Sequence, residues 1–195
     1  LAVTGESFRF GHGAAGDTHR LAALMRAAGG DALALPSLLY EGEPISSSRI
    51  RQALSLGDCE RAAALLGRPY ALTLPVLHGR HLGHVLGFPT ANQRFPAERL
   101  VPATGVYAVC VHTPTGVFPG VANVGSHPTV DVNAAVNCET HVIGMKGDLY
   151  GRRIRVEFLS KLRSEQKFNG VEELVEAIRK DAADADAVAR ARGLI

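Results

Sequence analysis

Three groups of residues in this 195-residue chain have types and spacings suited to chemistry. In "GFPTAN", residues 87–92, Pro89 fixes the local backbone, and Thr90 and Asn92 are alternate residues that share a side if the segment is extended. A hydroxyl and a carboxamide carbonyl are oxygen ligands suited to a hard ion such as Mg²⁺. A plain turn between strands is the competing reading. Glu139, in "NCETHVI", stands inside an apolar β run, where a carboxylate is costly unless it is paired or faces a cleft. Near a substrate hydroxyl it would accept a proton. Alternation equally allows a solvent-facing Glu139, with His141 on the same side. In "ISSSRIR", Ser46, Ser47 and Ser48 stand at a helix start with Arg49 and Arg51 in its first turns. Free backbone N–H groups and two guanidinium forks would hold phosphate there, although capping alone accounts for one serine.

Two further spellings fail on context. "GHGAAG", residues 11–16, fits GxGxxG, but a dinucleotide site needs an apolar strand running directly into the first glycine. Glu6, Ser7 and Arg9 occupy that approach, so a glycine loop followed by a helix cap is the better reading. "HLGH", residues 81–84, spells the HxGH of enzymes that transfer a nucleotidyl group from ATP. Those enzymes carry it after the first strand of an α/β domain, with the serine-rich phosphate motif far downstream. Here the order is reversed, and His81 and His84 read as loop histidines beside a nucleotide or facing solvent. No GxxxxGK[ST] occurs, so a kinase here is not of the P-loop kind.

Composition sets wider limits. A formal charge of +2 gives no basic excess, which argues against a nucleic-acid partner and leaves a small anionic substrate open. Cys59, Cys110 and Cys138 are odd in number and form no CxxC pair, so free thiols in a cytoplasmic protein are expected. No apolar run approaches the roughly 20 residues that span a bilayer, so no membrane partner is expected. The chain opens with Leu1 rather than Met, which suggests a partial chain.

The elements that must position these groups fall into two textures. Residues 1–69 read as α/β pieces: a helix from Asp17 to Ala28, a buried strand over residues 32–40 broken by Pro36, a loop through Glu43-Pro44, and two short helices. The first short helix begins in the serines and stops near Gly57; the second is capped by Asp58 and ends at Gly67. Gly67-Arg68-Pro69 then makes a domain boundary. From residue 70, short β-branched or alternating runs separated by Gly and Pro turns predict an antiparallel barrel or sandwich. Val171, Leu174, Val175 and Ile178 lie on one face of a closing helix, whose Ala-rich end is expected to fray.

Taken in order, "LGFPTAN", "PATGVYAV", "GVANVGSHPTV", "CETHVI", "GDLYG" and "RVEFLSKLRSEQKF" resemble the riboflavin kinase half of the bacterial bifunctional riboflavin kinase/FAD synthetase family. "GESFRFGHGAAGD" and "ISSSRIRQALSLGDCERAAALLGRPY" resemble the tail of that family's adenylyltransferase half. The resemblance implies an α+β chain. A six-stranded antiparallel riboflavin kinase β-barrel with a C-terminal helix (70–195) would follow a partial α/β, Rossmann-like nucleotidyltransferase module (1–69). It implies transfer of the ATP γ-phosphate to the terminal ribityl hydroxyl of riboflavin, giving FMN and ADP. Thr90 and Asn92 would hold Mg²⁺ and the ATP phosphates. Glu139 would be the general base. Gly79, Gly83 and Gly87 would let the loop backbone approach ATP closely. Arg163, Lys167 and Phe168 would border the flavin, and Ser46, Ser47, Ser48, Arg49 and Arg51 would be the remnant phosphate site of the other half.

The chain departs from the family at Leu74, where glycine is usual, and at Leu82 and His84, where basic residues are usual. Gly144-Met145 replaces an acidic residue and an aromatic, and Ser7 and Ala14-Ala15 depart in the first half. Three readings follow: a riboflavin kinase, a bifunctional enzyme that also makes FAD once residues upstream of Leu1 are present, and a non-catalytic flavin-binding module.

Overall fold

The computed structural model describes residues 1–79, 83, 86–126 and 136–195. Its contacts divide the chain into two compact units, Leu1–Ser46 and Ser47–Ile195.

In the first unit, β1 (Ala2–Gly5) and β2 (Ala32–Leu35) pair in parallel, with α1 (Thr18–Ala27) between them in sequence. This β-α-β order is the α/β texture expected. The Asp17 carboxylate accepts from Arg20 N–H at 2.9 Å, so the expected cap forms. Strand β1 ends at Gly5, well before Gly11, and residues 12–14 form one 3₁₀ turn, which agrees with rejection of the dinucleotide motif. The expected buried strand over 32–40 is corrected. Pro36 splits it into β2 and β3 (Leu39–Tyr40), β3 pairs with β4 (Glu43–Pro44) where a loop was expected, and Leu33, Leu35, Leu38 and Leu39 are exposed.

The second unit begins with α2 (Ser47–Leu56) and α3 (Cys59–Leu66), the latter capped by Asp58 and ended by Gly67 in the left-handed region. Six strands follow: β5 (Tyr70–Pro75), β6 (Thr90–Arg94), β7 (Gly105–Thr113), β8 (Gly116–Ser126), β9 (Val136–Val142) and β10 (Arg153–Arg163). They form one antiparallel sheet in the order β5-β10-β7-β8-β9-β6. Leu77 N–H donates to the Asn92 carbonyl at 2.7 Å just past β5, so the two edge strands meet and the sheet curls into a barrel. Buried Gln93 reinforces this closure by donating to the carbonyls of Leu74 at 2.7 Å and Ile154 at 3.2 Å.

Strand β7 shows why the alternation of "GVYAVCVHT" is incomplete. Tyr107, Val109 and Val111 point into the barrel core with Phe158, Ile154 and Val124, while Val106, Ala108 and Cys110 lie in a second cluster outside it. Helix α4 (Val171–Ala191) covers that outer face, so both sides of β7 are apolar. The expected fraying is corrected: the helix continues to Ala191 because Ala185 and Ala189 are fully buried against the barrel.

The two compact units divide at Ser46–Ser47, upstream of the domain boundary expected near Gly67-Arg68-Pro69. Ala53, Leu54, Cys59 and Ala62 bury into the same core as the barrel interior, which makes α2 and α3 part of the barrel unit. At roughly 25 cal/mol per Å² of apolar surface, a fully buried leucine such as Leu54 is worth about 2 kcal/mol, enough to fix a short helix to its neighbour.

Candidate active site

Strand β6 begins at Thr90 and runs through Asn92, so the extended reading of these two residues holds. Within β9 the buried residues are Cys138, Thr140 and Val142, which leaves Glu139 and His141 half-buried on the outer face. Register then sets their neighbours. Asn92 of β6 and Asn123 of β8 stand directly opposite Glu139 on either side, while Thr90 and Val121 flank His141. Directly opposite residues share a face, with Cβ atoms about 5 Å apart. One carboxylate is therefore set between two carboxamides, with a threonine hydroxyl one row away.

This face forms one wall of a cleft of about 250 Å³, lined by Phe88, Thr90, Asn123 and Glu139 and closed by Phe168, Leu174 and Ile178. The far wall exists because β10 carries two register shifts, between Phe158 and Ser160 and between Lys161 and Arg163. Such bulges bend a strand and re-aim its side chains. Here they lead into Arg163, whose Nε and Nη2 grip the Asp181 carboxylate of α4 at 2.8–3.1 Å. The guanidinium also lies 5.5 Å from the Phe168 ring centroid. Arg163 is thus held against α4 and Phe168 as part of the cleft wall.

A second cleft, about 320 Å³, lies beyond Thr90 and is lined by Val76, Val142, Met145, Asp148 and Tyr150. His78 stacks on Tyr150 with centroids 4.1 Å apart. Thr90 lines both clefts. At this junction the Asn92 amide donates to the Thr90 carbonyl at 3.3 Å and lies 3.5 Å from the Thr90 hydroxyl. His141 Nδ1 is 3.0 Å from the Pro89 carbonyl, and its ring meets Phe88 edge-on at 5.4 Å.

Two of the three glycines expected to face ATP instead lie tight against the protein's own atoms. A Cβ on Gly79 would collide with the Asn92 side chain, and one on Gly83 with the Phe88 carbonyl. Gly87 meets a different need, since its φ of +84° favours glycine. Gly144, a departure from the family pattern, likewise has φ of +75°. Leu74 packs against the barrel core.

The remaining expected residues separate. Lys167 is exposed and lines neither cleft, while Phe168 does line the first. Ser46 ends the first compact unit; Ser47, Ser48, Arg49 and Arg51 lie in α2, and none of the five lines either cleft. His81, Leu82 and His84 lie outside the described residues.

Sequence reasoning missed Asn123 and Asp181. The side-chain carboxamide oxygen of Asn123 is buried with no hydrogen-bond partner among the described residues, a state that costs roughly 1–3 kcal/mol. A lone amide in the apolar run "GVANVG" was the available signal. Asp181 sat in the Ala-rich tail expected to fray, and its pairing across 18 residues had no local signature.

The second unit belongs to the class of six-stranded antiparallel-barrel domains with a helix packed on the outer face. A family described as riboflavin kinase, or flavokinase, matches residues 66–189. The chain belongs to the riboflavin kinase family. Among curated relatives, the bifunctional riboflavin kinase/FMN adenylyltransferase of Pseudomonas fluorescens is 41% identical over 185 residues, 95% of this chain and 59% of that protein. The protein of the same description from Escherichia coli (strain K12) is 41% identical over 186 residues, 93% of this chain and 57% of its own length. The chain thus spans somewhat over half the length of these relatives. A solved structure described as a macrolide-efflux protein from Streptococcus pneumoniae shares the fold, with a TM-score of 0.82 at 29% identity, over 94% of this chain and 58% of that one.

Proposed function

We propose that the barrel unit phosphorylates riboflavin with ATP, giving FMN and ADP. The observation that carries this reading is the position of Thr90, common to two clefts, with Glu139 on the wall of the first. Phosphoryl transfer asks a protein mainly to position two substrates and to orient a nucleophile. The first cleft, walled by Phe88, Phe168, Leu174 and Ile178, suits the flat apolar ring of a flavin. The second, beside Met145, Asp148 and Tyr150, takes the nucleotide, whose terminal phosphate then lies at Thr90.

Glu139 accepts the proton of the terminal ribityl hydroxyl as its oxygen bonds to the γ-phosphorus, and the bond from that phosphorus to the β-γ bridging oxygen breaks to release ADP. A positioned general base of this kind contributes roughly 10²–10⁴-fold. Thr90 Oγ1 and the Asn92 carboxamide oxygen fit a hard divalent cation such as Mg²⁺. The amide already reaches to 3.5 Å from Oγ1, and turning it by 180° presents its oxygen instead of its nitrogen. Two neutral ligands make a weak site unaided, so Thr90 and Asn92 would suit an ion that is delivered together with the nucleotide. When bound, the ion neutralises phosphate charge. Arg163 shapes the flavin wall through Asp181 and Phe168, and Lys167 contacts the flavin only if its segment closes over the cleft.

The relatives are named as bifunctional, and the match to them extends through residues before the barrel. On that ground residues 1–69 are read as the C-terminal part of an FMN adenylyltransferase module and 70–195 as the kinase domain, although α2 and α3, which precede residue 70, pack into the barrel core. A cytoplasmic setting follows from the substrates; no described helix is long and apolar enough to cross a membrane. The test is direct: incubate the purified chain with riboflavin and Mg-ATP and separate flavins by chromatography. FMN is expected. Its absence, with riboflavin still bound, favours a non-catalytic flavin-binding module. FAD formed from FMN and ATP by this chain alone would show that adenylyl transfer does not depend on an HxGH upstream.

A further inference from the structure

On the outer face of the barrel, away from both clefts, three different metal-binding side chains converge. Cys110 and His112 are alternate residues of β7 and share a face, and Glu157 of β10 stands directly opposite Cys110. A sulfur, a ring nitrogen and a carboxylate oxygen from these residues all lie within 4.8 Å of one another. Cys110 and Glu157 are more than nine-tenths buried, while His112 is partly exposed and offers a path to solvent.

Two details distinguish this group from an ordinary buried ion pair. His112 Nε2 is buried and has no hydrogen-bond partner among the described residues, although it lies 3.3 Å from Glu157 Oε2. The other oxygen of Glu157, Oε1, is held by Arg155 Nε at 2.9 Å and Nη2 at 2.6 Å. The carboxylate is therefore oriented by the arginine with Oε2 left beside the histidine nitrogen and the thiol.

We propose that Cys110, His112 and Glu157 bind one zinc ion, with water as fourth ligand. Zinc is the divalent ion suited to a mixed sulfur, nitrogen and oxygen set in tetrahedral geometry. Bond lengths of about 2.0–2.3 Å to zinc put neighbouring ligand atoms roughly 3.3–3.6 Å apart. Nε2 and Oε2 already meet that spacing, and a modest turn of Cys110 brings Sγ into place. On binding, the S–H bond breaks, the proton leaves to solvent, and a sulfur–zinc bond forms. The thiolate and the Glu157 carboxylate then balance the charge of the dication, and the Arg155 guanidinium leaves the group with one net positive charge at a face open to solvent through His112. The ion would tie β7 to β10 at the edge of the seam that Cys110 shares with Ala185 and Ala189 of α4. Nothing in this proposal depends on the kinase reaction.

The experiment titrates the chelator-treated full chain with Co²⁺ or Zn²⁺, using Mg²⁺ as control. One equivalent of Co²⁺ is expected to give a near-ultraviolet thiolate-to-metal band, which Cys110→Ser abolishes. Zn²⁺, not Mg²⁺, should raise the melting temperature. His112→Ala, a partly exposed position whose variant is expected to fold, should weaken Zn²⁺ binding at least tenfold, while His19→Ala in α1 changes nothing. Absence of the band, its persistence in Cys110→Ser, or equal Zn²⁺ affinity of His112→Ala and the parent would each overturn the proposal. If Cys110→Ser fails to fold, the His112→Ala affinity decides alone.

Discussion

The two compact units differ most in what they bury. No apolar side chain of Leu1–Ser46 is fully buried, and Val3, Leu24, Leu33 and Leu35 are all about half exposed. In Ser47–Ile195, Leu54, Val109, Ile154 and Phe158 have no exposed surface at all. Both units contain helix and sheet with suitable caps, so local propensity does not separate them. A parallel strand pair with one helix covers little of its own surface, whereas a sheet that curls until its edges meet encloses an interior and then needs only one helix outside.

Glu139→Gln should break the contrast most severely if activity resides in the barrel unit. FMN formation is expected to fall roughly 10²–10⁴-fold with riboflavin affinity kept, measured by steady-state kinetics and fluorescence quenching. Loss of affinity as well would recast Glu139 as a binding group. A pair of leucines then compares the units directly. Leu54→Ala should cost about 2–5 kcal/mol in urea unfolding, and Leu24→Ala less than about 0.5 kcal/mol, because only the first leaves a cavity. Equal costs would mean that the units share one cooperative core.

Asp181→Ala leaves the half-buried Arg163 guanidinium without its carboxylate and should cost roughly 3 kcal/mol. It should also raise the riboflavin KM more than it lowers kcat, since the cleft wall moves and the base does not. The smallest effect concerns pH. Burial pushes the thiol of Cys59 up to about 12 and that of Cys138 up to about 11. In the unfolded chain these thiols ionise near pH 8.5. Their contribution to stability is full below that pH and is lost as pH rises from about 8.5 toward the folded values. Urea midpoints should therefore decline across this window in the parent and less steeply in Cys59→Ala.

The legible and illegible parts of the sequence divide along the same line. Caps at Asp17 and Asp58 and the terminator Gly67 are local, and each stood where its type predicted. Thr90 and Asn92 were legible as an extended pair, but Glu139 by itself was not, since alternation gives two faces and only the paired strands tell which one borders a cleft. Strand β7 concealed its period because α4 covers the side that solvent would otherwise have marked with polar residues. Asp181 was misjudged because alanines read as weak packing, whereas a flat barrel wall accepts alanine at close range. The boundary at Gly67-Arg68-Pro69 was a real helix end, but helix ends do not reveal which core a helix joins.

Thr90 has a consequence for equilibrium binding. Because Thr90 lines both clefts, an occupant of one that displaces it would alter the wall met by an occupant of the other. On the proposed assignment of the two clefts, linkage would make that influence reciprocal: whatever factor the nucleotide applies to flavin affinity, the flavin must apply to nucleotide affinity. One shared residue would thus make two neighbouring cavities one thermodynamic system, whose cooperativity binding titrations with flavin and a non-hydrolysable nucleotide would measure without any phosphate transfer.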